Sequence, residues 1–280
     1  MKSDAPTIVD YQKTLRSSLF KEMEAFSDDF LALNKENLSE YAKKWVADPF
    51  HQWSRQWEYP YVYEKVLSHY TGSATKKFKV MDAGSGVTFF PYYIAETFDN
   101  SEIHCVDFNK SYETIFPKIN KTQKKQVFFS KKSLDSTGFE NEYFDAIYCI
   151  SVLEHTKNYK QIIDEFFNVL KPGGRLILTF DISLDGRNDI SPKGAVTLID
   201  YLISKFQSDE ELEPIRPHSF AKDDILTTKY AYDIDPDLIW TSPPPAYKLF
   251  LENIKYLFRG KKWASFPPML TVYCLSLTKS

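Results

Sequence analysis

Two glycines and two acidic residues, at a spacing typical of nucleotide-binding turns, are the residues of this chain best suited to bind a ligand. An apolar run beginning at Phe78 ends in Asp82, and the turn Gly84-Ser85-Gly86 follows almost at once. Glycines let a backbone approach a ligand closely, and the amides that open the next helix face the same gap. A second predicted strand, Glu102–Val106, is followed by Asp107, about 20 residues after the glycines. In doubly wound folds an acid at this position accepts hydrogen bonds from ribose hydroxyls. The spacing predicts a nucleotide-binding site.

The charge of the expected ligand follows from the residues around this turn. A dinucleotide needs its pyrophosphate at the helix N-terminus and usually a third glycine, but Thr88 stands at that position. A sulfonium nucleoside instead brings an amino group that Asp82 can receive and two ribose hydroxyls that Asp107 can receive. The residues therefore favour a cationic nucleoside, and a nicotinamide dehydrogenase is the disfavoured enzyme alternative.

Strand and helix patterns alternate through the middle of the chain and predict the elements that position these residues. Apolar residues recur at helical spacing from Ile162 to Leu170, and a buried strand follows from Leu176 after a Pro-Gly-Gly turn. Repeats of this kind form right-handed crossovers and predict an α/β fold, with a doubly wound, mostly parallel sheet and helices on both faces. Ligands gather at the carboxyl ends of such strands, where we place four polar residues: Asp82, Asp107, Ser151 and Asp181.

Four segments in this order resemble the motifs of one family, the class I S-adenosylmethionine-dependent methyltransferases. The segments are Asp82-Ala83-Gly84-Ser85-Gly86, Asp107 at a strand end, Phe144–Ile150 running into Ser151-Val152-Leu153-Glu154-His155, and Leu170–Leu178 with its Pro-Gly-Gly turn. The resemblance extends from about Lys77 to Asp181.

The resemblance implies a cofactor and the residues that hold it. The cofactor would be S-adenosyl-L-methionine, with S-adenosyl-L-homocysteine as product and no metal ion. The cofactor-binding residues would be Asp82, Gly84, Ser85, Gly86, Asp107, Phe108, Ser133, Leu134, Ser151 and Arg55. Ser133 and Leu134 lie where the family reads the adenine edge, although Asp135 is an alternative partner for the adenine amine. Phe108 would pack on the purine, or else belong to the core.

The first 73 residues have a different texture and are predicted to form a helical lid segment. Apolar residues recur at helical spacing from Leu15 to Phe26 and again from Leu38 to Trp45, and Pro60 is placed to open a further helix. Arg55 would bind the methionine carboxylate, or alternatively pair with Glu58. We expect Trp57 and Tyr59 in the same segment to contact substrate, with anchoring to the core as the alternative for Trp57.

The rest of the chain, residues 74–280, is predicted to form the cofactor-binding core. A polar loop leaves the strand that ends at Asp181, and residues 182–268 are predicted to be a substrate-cap insertion before a last strand over Leu270–Leu277. Asp181 and Asp185 are candidate substrate-binding residues, since acids beside tyrosines suit an amine-bearing molecule.

His155 is the candidate catalytic residue. It follows the fourth strand, close to where the methyl group should point, and histidine titrates near neutral pH, so it would serve as general base for an acceptor that must lose a proton. The alternative is that the Glu154-His155 pair only positions the loop. The family's Asn/Asp-Pro-Pro-Tyr arrangement is absent after this strand, which disfavours nucleobase and glutamine acceptors. We therefore expect methyl transfer to a hydroxyl or amine of a small metabolite.

Composition narrows the partners and the compartment. The chain has 280 residues, a net charge of −3 and no long basic run, which argues against a nucleic-acid partner. Its three cysteines fall in predicted strands without metal or disulfide spacing, and no apolar stretch is long enough to span a membrane. The sequence thus favours a cytoplasmic protein without membrane partners, and it leaves the oligomeric state open.

Two further functions remain alternatives. The chain could be a nucleotide-binding module that binds a protein partner without turnover, or an enzyme that transfers an aminopropyl group on the same fold. Retention of Asp82, Asp107 and the complete Gly84-Ser85-Gly86 turn argues against a degenerate site.

Overall fold

The computed structural model describes residues 1–45, 48–70, 76–186, 190–208, 210, 217–220, 224–235, 238, 246–258, 263 and 268–280. Among these residues the strands are β1 Phe78–Ala83, β2 Ser101–Asp107, β3 Phe128–Lys131, β4 Phe144–Ile150, β5 Leu170–Ser183, β6 Gln207–Ser208 and β7 Leu270–Thr278. They form one sheet in the order β3-β2-β1-β4-β5-β7-β6, in which β7 runs antiparallel to both of its neighbours and the other pairs are parallel. The predicted mostly parallel, doubly wound sheet is confirmed.

Helices cover both faces of this sheet, as predicted. The described helices are α1 Ile8–Leu15, α2 Ser18–Asn34, α3 Ser39–Ala42, α4 Arg55–His69, α5 Phe90–Thr97, α6 Tyr112–Asn120, α7 Tyr159–Val169, α8 Pro192–Ile203, α9 Thr228–Ile234 and α10 Ala246–Phe258. Side chains of α1, α2, α4, α5 and α6 share one hydrophobic core with the sheet. Side chains of α7 and α8 share a second core on the other face.

The change from α7 to β5 shows how the sequence pattern becomes structure, and it corrects one boundary. Ile162, Ile163 and Phe166 are buried at helical spacing, as predicted. The strand, however, begins at Leu170 rather than at Leu176, because Leu170 already pairs with Phe144 before an irregularity shifts the register of the two strands. The predicted Pro-Gly-Gly turn therefore lies inside β5.

Helix α4 begins earlier than predicted. The sequence predicts Pro60 in its first turn, but the helix starts at Arg55 and Pro60 lies inside it. The start is fixed upstream, where Arg55 N–H donates to the Gln52 carbonyl and Glu58 N–H donates to the Ser54 carbonyl. Pro60 has no N–H to donate, so the helix forgoes one backbone hydrogen bond at that residue.

The two flanking regions differ from their predictions in detail. The helix expected from Leu38 to Trp45 is only the short α3. The predicted boundary at residues 73 and 74 lies outside the described residues. The three cysteines are buried and free within β2, β4 and β7, as predicted. In the described part of the chain, no helix combines the length and apolar character needed to cross a membrane.

Candidate functional site

A cavity of about 660 Å³ opens at the carboxyl ends of β1, β2 and β4, where the strand order reverses direction. Crossover helices leave in opposite directions on the two sides of this point, so a crevice between them is a geometric consequence of the fold. Its volume lies within the range of small-molecule sites. Residues from the turn after β1 and from the N-terminal segment both line this cavity.

The glycine turn forms the floor of the cavity. Gly84 and Gly86 have φ angles of +75° and +53°, in the left-handed region that favours glycine. A Cβ atom on Gly84 would lie 2.5 Å from Cγ2 of Val152, and one on Gly86 would lie 2.9 Å from the Tyr41 hydroxyl. Both positions therefore require glycine for conformation and for space, and they leave a bare backbone cradle beside Ser85.

Asp107 is the last residue of β2 and lines the cavity, and backbone amides hold its carboxylate in place. Its Oδ2 accepts from Gly86 N–H at 3.2 Å, and its Oδ1 accepts from Asn109 N–H at 2.9 Å. Burial raises the pKa of Asp107, and the amides of Asn109, Gly86 and Phe108 act against that rise. The carboxylate is thus fixed in direction, with acceptor capacity left for hydroxyl donors.

Asp82, at the end of β1, is more deeply buried. Burial raises its pKa to about 8; the Tyr148 hydroxyl opposes that rise, and the Asp107 charge adds to it. The hydroxyl of Tyr148 lies across from Asp82 on β4, and both residues line the cavity. A buried acid and the tyrosine hydroxyl that interacts with it are therefore placed together at this site.

Arg55 joins the N-terminal segment to the sheet at the cavity wall. Its guanidinium donates to the Glu58 carboxylate and, at 2.8 Å, to the Ser151 hydroxyl. Glu58 has no exposed surface, and Ser151, at a φ of +47°, donates to it at 2.7 Å. Burial acts to lower the pKa of Arg55, but its interactions with Glu58, Tyr59 and Asp181 together outweigh burial and the pKa is raised. Of the two predicted roles for Arg55, the pairing with Glu58 is present.

The predicted adenine end is open and polar. Phe108 is 75% exposed and lines the cavity rather than the core. Ser133 and Leu134 also line it. Asp135, the alternative adenine partner, accepts from the Ser133 hydroxyl at 2.5 Å and from the Asn158 amide, and it is not part of the lining.

His155 and Asp181 also line the cavity. Glu154, next to His155 in the chain, accepts a hydrogen bond from the backbone N–H of Asp181 at 3.1 Å. Burial, followed by the charge of Asp181, raises the pKa of Glu154 well above its usual range. The rise in pKa favours the neutral form of the Glu154 carboxyl.

The predicted substrate residues are divided by the structure. Tyr59 and Asp181 line the cavity. Trp57 does not, because it turns from the same helix into the core, where its indole N–H lies beside the Cys274 thiol. Asp185 is also outside the lining, since its carboxylate accepts from the Ser183 hydroxyl at 3.0 Å and from Met269 N–H at 2.9 Å, fastening the start of β7.

Several lining residues were not predicted as part of a site. They are chiefly Tyr41, Trp45, Gln52, Trp53, Lys132 and Tyr148. A polar aromatic inside the mostly buried strand β4 is the one sequence signal that pointed to Tyr148. The others precede β1 or follow β3, and only the tertiary fold brings them to the crevice.

Comparison with known proteins agrees with this geometry. Residues 81–178 match the family model described as methyltransferase domain. The chain is 33% identical over 119 residues to the tRNA U34 carboxymethyltransferase of Ruthia magnifica subsp. Calyptogena magnifica, a match covering 41% of this chain and 36% of that protein. It is 27% identical over 120 residues to the ubiquinone biosynthesis O-methyltransferase of Rickettsia canadensis (strain McKiel), covering 42% of this chain and 48% of that protein.

A solved structure extends the likeness of the fold. Phosphoethanolamine N-methyltransferase 2 of Haemonchus contortus, in complex with S-adenosyl-L-methionine, superposes with a TM-score of 0.51 at 16% identity, covering 91% of this chain and 60% of that chain. At this identity the likeness concerns the fold.

The sheet order, the glycine turn and the family match agree with one class of protein. Residues 81–178 match a methyltransferase domain, and the sheet has the order of the class I, S-adenosylmethionine-dependent methyltransferase fold. S-adenosyl-L-methionine is the cofactor of that family, and among the described residues no group of three or more His, Cys, Asp or Glu side chains could hold a metal ion. The chain spans less than half the length of the curated relatives named above. The expected exclusion of nucleic acid is not supported, because one relative is named for tRNA.

Proposed function

We propose that this protein transfers a methyl group from S-adenosyl-L-methionine to a hydroxyl or amine of a small molecule. The observation that carries the proposal is the crevice itself, in which two carboxyl groups, a bare glycine turn and a buried tyrosine hydroxyl converge. These groups can bind the ammonium group of the methionine moiety and the two ribose hydroxyls of the cofactor, and the glycine turn leaves room for its nucleoside. When bound, the cofactor supplies an electrophilic methyl group on a positively charged sulfur.

The residues of the chain divide the binding task along the crevice. Asp107 is oriented by two backbone amides to receive the ribose hydroxyls, and Asp82 with Tyr148 faces the amino acid end. Phe108, Ser133 and Leu134 provide a ring face and a polar edge for the adenine. Gly84, Ser85 and Gly86 let the backbone approach, while Ser151 and Arg55 close the methionine end.

An in-line displacement needs the acceptor held behind the methyl group and water kept away. Tyr59, His155 and Asp181 lie at the acceptor end of the cavity in this proposal. His155 would accept the proton that a hydroxyl or ammonium acceptor loses, a role that usually contributes about 10² to 10⁴ in rate. His155→Gln should then lower kcat by about this factor while the affinity for S-adenosylhomocysteine is unchanged. Near-normal turnover of this variant would leave His155 as a positioning residue.

The N-terminal segment, residues 1–73, acts as a lid in this proposal because it supplies one wall of the cavity, from Tyr41 to Tyr59. No described residue after Asp181 lines the cavity. The role of residues 182–268 as a substrate cap therefore stays a prediction, and parts of this stretch lie outside the described residues.

The decisive experiment is titration with S-adenosylhomocysteine, followed by calorimetry and by thermal unfolding. A ligand that binds only the folded state raises the unfolding temperature with its concentration. Asp107→Ala removes two charge-assisted hydrogen bonds, so we expect the affinity to fall by about 100-fold or more. The matched control is Asp164→Ala, since Asp164 is a surface acid paired with Lys205. Absence of binding by the unaltered protein, or an equal loss in both variants, would contradict the proposal.

Methyl transfer itself is tested with methyl-labelled cofactor and a panel of phenols, amines and tRNA. Label on a small molecule supports the proposed acceptor class, whereas label only on tRNA would replace it. If the protein binds S-adenosylhomocysteine but transfers no labelled methyl group to the panel or to any component of a cell extract, the non-catalytic alternative is favoured.

A further inference from the structure

Helix α10 presents an apolar face to solvent that the methyltransferase site does not use. Its described side chains are mostly exposed, and the exposed apolar ones are Tyr247, Phe250, Leu251, Leu257 and Phe258. At 3.6 residues per turn, these five positions fall within an arc of about 120°. Phe258 is 88% exposed and Phe250 is 53% exposed, whereas Asn253, just beyond one edge of the arc, is buried. The arc therefore faces away from the protein.

The apolar arc is extended by a tryptophan beyond the helix. The ring of Trp263 lies 5.9 Å from the ring of Phe250, centroid to centroid, and it is itself 55% exposed. Large aromatic side chains are costly to leave in water, and a contiguous exposed group of them marks an interaction surface. Trp and Phe beside lysine are also the side chains typical of helices that lie in a membrane interface.

The charge beside this arc is basic, in a chain that is acidic as a whole. Lys248 and Lys255 follow the apolar arc on one flank of the helix, and both are exposed. From Ala246 to Trp263 the sequence contains five basic residues and one acidic residue, whereas the net charge of the chain is −3. A surface that complements α10 therefore combines hydrocarbon with negative charge.

We propose that α10 docks on an anionic phospholipid surface, with the aromatic arc in the headgroup region and the lysines on the lipid phosphates. A second copy of the chain fits less well, because a two-fold contact places the same patch on both partners and brings the lysine flanks together. Nucleic acid would match the lysines but leave the aromatic arc in water. The helix is not long and apolar enough to span a bilayer, so it lies on the surface.

Vesicle sedimentation with the full chain tests this surface. We expect the protein to sediment with vesicles of phosphatidylcholine mixed with phosphatidylglycerol, and much less with phosphatidylcholine alone. Lys248→Gln with Lys255→Gln should lower the partition onto the mixed vesicles by about 25-fold, at about fivefold for each cation near an anionic surface. Phe250→Gln with Phe258→Gln should lower it by about tenfold or more for each ring.

Matched controls separate docking from general effects. Leu33→Gln removes an equally exposed apolar residue from α2, and Lys118→Gln with Lys121→Gln removes two exposed lysines from α6 and its C-terminal end. These variants should sediment like the unaltered protein. All variants should keep the same S-adenosylhomocysteine affinity, because no residue of α10 lines the cavity.

Three outcomes would overturn the proposal. The first is no sedimentation with the mixed vesicles at low salt. The second is an equal loss in the α6 or α2 controls. The third is a dimer in sedimentation equilibrium that Phe250→Gln with Phe258→Gln abolishes, since the arc would then belong to a contact between copies of the chain.

Discussion

Two carboxyl groups at neighbouring strand ends behave differently because their surroundings differ. Asp107 accepts hydrogen bonds from two backbone amides, which stabilise its charged form. Asp82 is more deeply buried and has a pKa of about 8. In the ligand-free protein Asp82 is therefore mostly protonated at neutral pH. An ammonium group bound beside it would favour the ionised form, so cofactor binding should release a proton.

The first prediction concerns this proton. Between about pH 6 and about pH 7.5, the affinity for S-adenosylhomocysteine should rise with pH, by up to about tenfold per unit, because Asp82 must ionise on binding. Calorimetry in buffers of different ionisation enthalpy should detect the released proton. Asp82→Asn should bind more weakly and lose this pH dependence. An affinity of the unaltered protein that is flat over this range would exclude the coupling.

The second prediction concerns the stability of the ligand-free protein. The pKa of Asp82 is higher in the folded state than the ordinary aspartate value of 3.8. Its contribution to folding is therefore most favourable at low pH and is lost as pH rises through about 8. Asp82→Asn should raise the unfolding temperature near pH 8.5, and the gain should shrink toward pH 6. Thermal unfolding of both proteins across this range measures the difference, and a gain that grows toward acid would contradict it.

At the scale of elements, the turn after β1 is held by sterics from the loop after β4. Gly84 has a positive φ and stands against Val152, whereas Gly173 has nearly the same φ, +73°, and a Cβ atom added there would have no neighbouring atom within 4 Å. Substitution of Gly173 therefore measures the cost of a left-handed backbone alone, whereas substitution of Gly84 adds the steric clash with Val152.

The third prediction uses this pair. Gly173→Ala should cost about 1 to 2 kcal/mol of unfolding free energy, the usual cost of a left-handed backbone for alanine. Gly84→Ala should cost more, because its Cβ would lie 2.5 Å from Val152. Val152→Ala in the Gly84→Ala background should recover part of the excess, and urea unfolding of the three variants and the unaltered protein measures it. Equal costs at the two glycines would show that Val152 moves aside freely.

Helix α4 is fastened to the sheet by a buried polar group rather than by apolar contacts alone. Glu58 receives hydrogen bonds from Ser151 on the loop after β4 and from Thr179 on β5, and it pairs with Arg55. Removing the cation would leave a fully buried carboxylate without its ion pair, which is strongly destabilising.

The fourth prediction follows for Arg55. Arg55→Ala should lower the unfolding free energy by about 3 to 5 kcal/mol, whereas Arg55→Ala combined with Glu58→Gln should recover much of it. Chemical unfolding measures the stability, and calorimetry with S-adenosylhomocysteine measures any separate loss of affinity. If the affinity for S-adenosylhomocysteine falls in the stable double variant, Arg55 also binds the cofactor. If it does not fall, the prediction that Arg55 binds the methionine carboxylate is wrong.

At the scale of the whole molecule, the two flanking regions contribute unequally to the crevice. Residues from Tyr41 to Tyr59 form one of its walls, whereas α8 packs its buried side chains against the opposite face of the sheet. The lid function of the N-terminal segment is therefore the stronger of the two regional proposals.

The fifth prediction is a pattern of hydrogen exchange. Addition of S-adenosylhomocysteine should slow amide exchange in the segment from Ser39 to Tyr59 and in the turn after β1, because a ligand there suppresses local opening. Exchange in α8 and α10 should change little. Mass spectrometry of peptic peptides resolves these regions. Slowing in α8 or α10 equal to that near Tyr41 would instead support the predicted C-terminal cap.

The sequence by itself determined the parallel sheet and the neighbouring positions of Asp82 and Asp107, since strand periodicity and crossover handedness bring consecutive strand ends to one edge. It also determined the need for glycine after β1. Only the tertiary structure decided which side of α4 meets the cavity, so that Tyr59 faces it and Trp57 does not. It likewise joined Arg55 to Ser151, 96 residues away along the chain. Local patterns record burial and periodicity, whereas contacts between distant segments depend on how whole elements pack, and no short stretch of sequence encodes that packing.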